Sequence, residues 1–298
     1  MRLTKHFSQS EKPPVGLLGV GLVGSALAER LIAAGHSLYA YDPIPEAMER
    51  LQSFGGQPVS GEVEVARLCR RIILSLPGPS EVCAAVSQLV GELRPGDVVI
   101  DTTTGDPETV ERIARKLADH DISYLDATLG GSSRQIAAGE AIVICGATDA
   151  GFAAAEDLLR SFGHAVFHTG VPGSGTRMKL VLNLALGLQR AVLAEALEFA
   201  RRSGIDPQRA LEILKAGPAY SRVMDTKGQK MITENFNPEA RLAQHWKDVR
   251  LMLDCAQETG ASLPLTEVHE GLLAAAYESG WGMEDNSAII KMFQGKKS

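Results

Sequence analysis

The chain has 298 residues, enough for two ordinary domains with a core each, and its 45% hydrophobic and 22% charged residues are typical of a soluble globular protein. A net charge of -6, with the basic residues scattered rather than striped, argues against a nucleic-acid partner. Cys69, Cys83, Cys145 and Cys255 form no C-x-x-C pair, and neither the start MRLTKHFSQSEKPP nor any later run approaches about 20 uninterrupted apolar residues; a cytoplasmic protein with no structural metal, no membrane partner and a loose tail over residues 1–14 is expected.

Residues 15–18 form a short apolar run ending in Gly19-Val20-Gly21-Leu22-Val23-Gly24, after which SALAERLIAAG reads as an amphipathic helix stopped by Gly35. A second apolar run, 37–41, ends at Asp42. In this strand–turn–helix–strand setting the glycines have separate jobs. One allows the sharp turn, one admits a pyrophosphate to the backbone, and one lets helix pack on strand, while the helix N-terminus, at Leu22 and Val23, faces the anion. Asp42 can accept hydrogen bonds from adenosine ribose hydroxyls, and no Arg occurs before Arg50 to meet a 2′-phosphate, so NAD is favoured over NADP. Asp42 can also start a turn with Pro43, which is compatible with that role.

The pattern repeats at 71–76 and 98–101, each run ending in turn chemistry: Leu76-Pro77-Gly78-Pro79-Ser80 and Asp101-Thr102-Thr103-Thr104-Gly105. Loops beyond the carboxyl ends of strands in an open parallel sheet line the ligand crevice, which makes Leu76, Pro77 and Thr103 candidate cofactor contacts. Two readings stay open for Thr103 and Thr104: contact with the nicotinamide or its ribose, or capping of a helix before Pro107. After the strand-like 124–126 comes Ala127-Thr128-Leu129-Gly130-Gly131-Ser132-Ser133, read as a glycine-rich loop whose N–H groups and hydroxyls suit a small carboxylate. Strands at 141–145 and 165–167 flank a helix at 149–161, and no strand is expected after Gly175.

From Thr176 onward every periodic segment reads as helix. The first, 176–202, would span about 40 Å and is apolar on every side, which argues for burial between two bodies of protein. Its Lys179 and Asn183 are four apart and share a face. Further helices are expected at 207–215, through Met231, at 239–260, at 264–279 and after Asp285. Lys247 and Asp248 read as a charged pair on the 239–260 helix, and His245 as a structural residue.

These blocks together, with LSLPGPSEV, DTTTGDP, GVPGSGTRMKLVLN, FNPEARLAQHWKDV and GMEDNSA, resemble the β-hydroxyacid dehydrogenases over residues 15–290. The resemblance implies an α/β fold: an N-terminal Rossmann-type doubly wound sheet over 15–174, then an all-α C-terminal domain over 175–298, of the 6-phosphogluconate dehydrogenase type, that includes the interdomain helix 176–202. It implies Lys179 as the catalytic Lys of G-x-G-x-x-x-K, Asn183 as the residue orienting substrate, Lys247 on the substrate and cofactor side, and a homodimer or homotetramer. Two departures stand out. The substrate loop reads Gly130-Gly131-Ser132 where many members have Ser-Gly-Gly, so Ser132 or Ser133 would have to supply the hydroxyl; and Leu182 stands where many have a first Asn. Keeping Lys179 favours carbonyl and alcohol chemistry over imine reduction. The expected activity is hydride transfer between NAD and a small 3-hydroxy carboxylic acid such as 3-hydroxyisobutyrate. The alternatives are a reductase of tartronate semialdehyde or a related aldehyde acid and, more remotely, a dinucleotide sensor without catalysis.

Overall fold

The computed structural model describes residues 12–295, so the expected tail at 1–14 lies almost wholly outside the described residues. In chain order the elements are β1 Val15–Leu18, α1 Leu22–Ala33, β2 Leu38–Tyr41, α2 Pro45–Ser53, β3 Gln57–Pro58, α3 Glu62–Leu68, β4 Arg71–Leu74, α4 Pro79–Leu89, β5 Val98–Asp101, α5 Pro107–Ala118, β6 Ser123–Gly130, α6 Ser133–Ala137, β7 Ile142–Gly146, α7 Asp149–Phe162 and β8 Ala165–Gly170. Helices follow: α8 Ser174–Arg202, α9 Pro207–Ala216, α10 Arg222–Ile232, α11 Leu242–Thr259 and α12 Pro264–Ala276, then a π-turn at Tyr277–Trp281, a 3₁₀ turn at Asn286–Ile290 and α13 Lys291–Gln294. The chain divides into two compact units, 1–179 and 180–298.

In the first unit the strands form one sheet in the order β3-β2-β1-β4-β5-β6-β7-β8. All neighbours are parallel except β6 and β7. Strand order reverses at β1, between β2 and β4, which is where a doubly wound sheet leaves a crevice beyond its carboxyl ends. The apolar runs VGLL, RIIL and VVID are buried on both faces, as strands covered by helices on each side must be. One core packs α1, α2, α6 and α7 on one face through Leu27, Leu31, Leu51 and Phe162, and the other packs α3, α4 and α5 through Val65, Leu89 and Leu117. The glycine-rich stretch read as a loop from Ala127 is instead strand as far as Gly130. Asp126 to Gly130 pair antiparallel with Gly146 to Ile142, and the unbroken burial from Tyr124 to Leu129 carries the sheet through this stretch.

In the second unit the core gathers Leu180, Leu193, Leu197, Met231, Leu242, Met252, Leu273 and Ile289. Among its described residues the single strand-like pairing is an isolated bridge between Arg241 and Asp285. By length and composition α8 is apolar enough to cross a membrane, a test that the core helix of a soluble protein also passes. Five of its residues, Leu180, Leu193, Ala194, Leu197 and Ala200, belong to this core. A buried clasp closes the unit. Asp285, fully buried, receives Lys227 Nζ at 2.9 and 3.0 Å, the Ser287 hydroxyl at 2.7 Å and the Glu239 amide at 3.0 Å.

Candidate active site

The first unit brings its sequence-predicted residues to one edge of the sheet. Gly19–Gly24 follow β1, Asp42 follows β2, Leu76 and Pro77 follow β4, Thr103 follows β5 and Gly130 ends β6, and these strands are consecutive neighbours in the order β2-β1-β4-β5-β6. The glycines fit the roles that their spacing suggests. Gly19 has φ +91, and a Cβ there would stand 2.2 Å from the Ser75 carbonyl oxygen; one at Gly24 would stand 2.0 Å from the Gly19 carbonyl oxygen. Gly21, by contrast, faces open space. It is the N-cap of α1, offers no side-chain cap, and the first turn of α1 carries no acid. The helix therefore presents its uncapped N–H groups, with Leu22 83% exposed, to the place a pyrophosphate would take.

Asp42 holds this turn in register. Its carboxylate accepts from the Val20 amide at 2.7 Å and from the Ile44 amide at 2.9 Å. The second bond is the turn-starting role, and the remaining lone pairs can still take ribose hydroxyls. Arg50, set aside on sequence spacing as too far along to meet a 2′-phosphate, comes close to the turn in the structure. From α2 its guanidinium reaches back to the Val20 carbonyl at 2.8 Å and the Ser25 hydroxyl at 3.0 Å, so a cation does stand beside the glycine turn.

The loop after β5 is pinned from beneath. Buried Asp101 accepts from the Tyr124 hydroxyl at 2.6 Å and from the Thr103 amide at 2.8 Å, and burial raises its carboxyl above the usual range. Thr103 in turn accepts the Leu76 amide at 3.2 Å, tying the two crevice loops together. Helix capping falls to neither Thr103 nor Thr104. Asp106 caps α5, accepting from the Glu108 and Thr109 amides.

Lys179 is positioned by what precedes it. Asp126, in β6, accepts the Gly173 amide at 2.7 Å and the Thr176 amide at 2.6 Å, and so anchors the start of α8. Burial pushes its carboxyl up to about 6. The approach requires glycine. A Cβ on Gly175 would lie 2.6 Å from the Gly146 amide nitrogen and 2.7 Å from the Asp126 carbonyl oxygen, and Gly173 takes φ +94. Lys179 then lies one turn along α8, and its Nζ donates to the Leu129 carbonyl at 2.7 Å, next to Gly130. The two glycines of G-x-G-x-x-x-K are thus the reason that this Lys meets the end of β6, while Asp126, which sequence reading passed over, is the anchor.

Gly130 ends the strand and Gly131 adopts φ +158. The Ser132 hydroxyl is engaged in a capping box with Gln135 at the start of α6, donating to Oε1 at 3.1 Å and accepting from the amide at 3.3 Å.

In the second unit, Asn183 and Lys247 lie on α8 and α11. Asn183 Nδ2 donates to the carboxylate of buried Asp248 at 3.3 Å, which also takes Gln244 Nε2 at 3.2 Å. Lys247, next to Asp248, is exposed. Asp248 thus orients Asn183, a link that i,i+4 spacing within one helix cannot reveal. Among the described residues no group of His, Cys, Asp or Glu is arranged to hold a metal.

Two family models match the chain. The NAD binding domain of 6-phosphogluconate dehydrogenase covers residues 14–170, and the NAD-binding domain of NADP-dependent 3-hydroxyisobutyrate dehydrogenase covers 173–293. Among similar proteins, the L-threonate dehydrogenase of Cupriavidus necator is 28% identical over 94% of this chain and 96% of its own. The 2-hydroxy-3-oxopropionate reductase of Escherichia coli is 28% identical over 94% and 97%. The crystal structure of a 3-hydroxyisobutyrate dehydrogenase from Salmonella typhimurium superimposes with a TM-score of 0.86 at 25% identity, covering 95% of this chain and all of the other.

Proposed function

The chain belongs to the β-hydroxyacid dehydrogenase family, and on that ground we propose that it transfers a hydride between NAD and a small 3-hydroxy carboxylic acid of the 3-hydroxyisobutyrate type, with Lys179 as general acid and base. The nicotinamide supplies the hydride acceptor. Oxidising the alcohol also requires removal of the hydroxyl proton, and reduction requires its return; an amine can do both if its basicity is tuned toward neutrality. The observation that carries this reading is the bond from Lys179 Nζ to the Leu129 carbonyl, beside the Gly130–Gly131 segment and at the same carboxyl end of the sheet as Gly19–Gly24 and Asp42. Asn183, four residues on in α8, would hold the substrate oxygen, with Asp248 fixing its amide. The N–H groups of Gly130 and Gly131 would receive the substrate carboxylate. With the Ser132 hydroxyl engaged by Gln135, Ser133 is the freer candidate for the hydroxyl role, and Lys247 would act on the substrate and cofactor side.

We take residues 15–174 as the dinucleotide-binding domain and 175–298 as the helical domain, joined by the 176–202 helix. NAD is preferred over NADP because the carboxylate of Asp42 would repel a 2′-phosphate, while Arg50, the cation nearby, is bonded to Val20 and Ser25. A homodimer or homotetramer in the cytoplasm is the proposed form. Exposed Val181, Val192 and Phe199 on α8, and Leu265 and Val268 on α12, support a self-associating face.

Tartronate semialdehyde reduction is the rival within the class, supported by the Escherichia coli relative. The test is a panel of 3-hydroxyisobutyrate, glycerate, threonate and tartronate semialdehyde against NAD and NADP, followed by the absorbance of the reduced cofactor. Turnover of 3-hydroxyisobutyrate with NAD is expected. A response to tartronate semialdehyde alone would move the assignment to the rival, and tight NAD binding with no turnover of any acid would favour a sensor.

A further inference from the structure

Inside the second unit, outside the residues assigned to catalysis, three nitrogen-bearing side chains are buried with unsatisfied nitrogens. Arg190 on α8 is 8% exposed, His245 on α11 is 7% and His269 on α12 is 3%. Arg190 Nε and Nη1, His245 Nε2 and His269 Nε2 are all buried without a hydrogen-bond partner. The two imidazoles stand with ring centroids 5.2 Å apart. Both close on Gly187, where a Cβ would lie 2.5 Å from His245 Nε2 and 2.9 Å from His269 Cε1. Arg190 is three residues further along α8, and a helical side chain leans back toward the preceding turn, which directs its guanidinium over Gly187 and onto the same pair. Its charge bears on both rings.

The charge count makes this arrangement costly as it stands. Arg190 remains a cation at neutral pH even though burial lowers it to about 10. The carboxylate that acts on it, Asp285, is already held by Lys227 at 2.9 and 3.0 Å, so it does not form a pair with the guanidinium. A buried cation without an ion-pair partner is strongly disfavoured, and each unpaired buried donor adds to that. A bridging water would satisfy donors but leave the charge. An anion satisfies both: the guanidinium N–H groups donate to it, and each neutral imidazole can do so as its Nε2–H tautomer.

We propose that Arg190, His245 and His269 form a buried site for a halide-sized monovalent anion, chloride in solution, that neutralises the core of the helical unit. The small size follows from the closure of the site by α8, α11 and α12, whose three contributing side chains are each more than nine-tenths buried.

Bromide provides the probe, used on the full-length protein. Crystals soaked in sodium bromide should show an anomalous peak between the Arg190 guanidinium and the two imidazoles. In solution, bromide or chloride replacing gluconate at constant ionic strength should raise the thermal unfolding midpoint by a few degrees and then saturate. The saturating rise should vanish in Arg190→Met and weaken in Arg190→Lys, which keeps the charge but loses the fork. A water without anomalous signal at the position would overturn the proposal, since that result needs no variant to fold. So would a peak with no saturating shift in solution, which would mean an adventitious ion only.

Discussion

Lys179 Nζ donates to the main-chain carbonyl of Leu129 at 2.7 Å, so the amine proposed as acid and base is held at the last residue before the Gly130–Gly131 segment. That contact orients Lys179 through a neutral main-chain acceptor. Lys179→Ala should lower kcat by about 10²- to 10⁴-fold with little change in NAD affinity, because the dinucleotide turn lies on other strands. Near-normal turnover in the variant, measured by cofactor absorbance, would falsify the general acid–base role.

Asp126 anchors the helix that carries this Lys. Asp126→Ala should cost about 1–2 kcal/mol of stability through loss of the cap, and should lower kcat as well because α8 no longer starts in a fixed place. Gly175→Ala attacks the same junction from the other side, forcing a methyl to within 2.6 Å of the Gly146 amide nitrogen. It is expected to be at least as damaging in thermal denaturation and in kcat.

Asp42 holds the glycine turn and is proposed to set cofactor choice. Asp42→Ala should reduce kcat/KM with NAD by about 10- to 100-fold, the loss expected for a charged hydrogen bond to ribose, and should narrow the ratio of NAD to NADP. An unchanged ratio would remove Asp42 from the basis of cofactor choice.

The Lys227–Asp285 clasp predicts a stability defect remote from the chemistry. Asp285 is fully buried and held well down, to about 2, despite burial, by Lys227, the Glu239 amide and Ser287. Asp285→Ala leaves the buried Lys227 ammonium to the more exposed Glu239, 3.3 Å away, and strands several other donors, and should cost about 3–5 kcal/mol in denaturant unfolding. Lys179 chemistry in whatever fraction stays folded should be unaffected.

The paired imidazoles predict a pH response. Burial and the Arg190 charge lower His269 to about 4 and His245 well below its ordinary value. The unfolded chain therefore binds more protons than the folded one between about pH 6.5 and 4, so stability is full above pH 6.5 and falls as the pH drops through this window. In low-salt gluconate buffer His269 alone should account for ~3 kcal/mol of that loss. His269→Gln should flatten the slope of unfolding free energy against pH; an unaltered slope would show that His269 does not titrate with unfolding.

Much of this was written locally. The turn from Gly19 to Gly24 and the acid at Asp42 are spaced by the backbone itself, and the period of the apolar residues separates the sheet-bearing half from the helical half. Lys179 and Asn183 share a face because four residues make about one helical turn. The extent of β6 was not legible, because Gly130 and Gly131 look like a loop until β7 supplies an antiparallel partner. Nor were the anchors: Asp126 lies 50 residues before Thr176, Asp101 lies 23 before Tyr124, and Asn183 lies 65 before Asp248. Chain order and residue type thus determined the glycine turn, the division between sheet and helices, and the placing of the amine proposed to react, since each depends on neighbours a few residues apart. Which carboxylates hold those parts in place, and that His245 and His269 close on Gly187, depended on packing between distant segments, where burial and the demand that buried polar groups find partners select contacts that no spacing encodes.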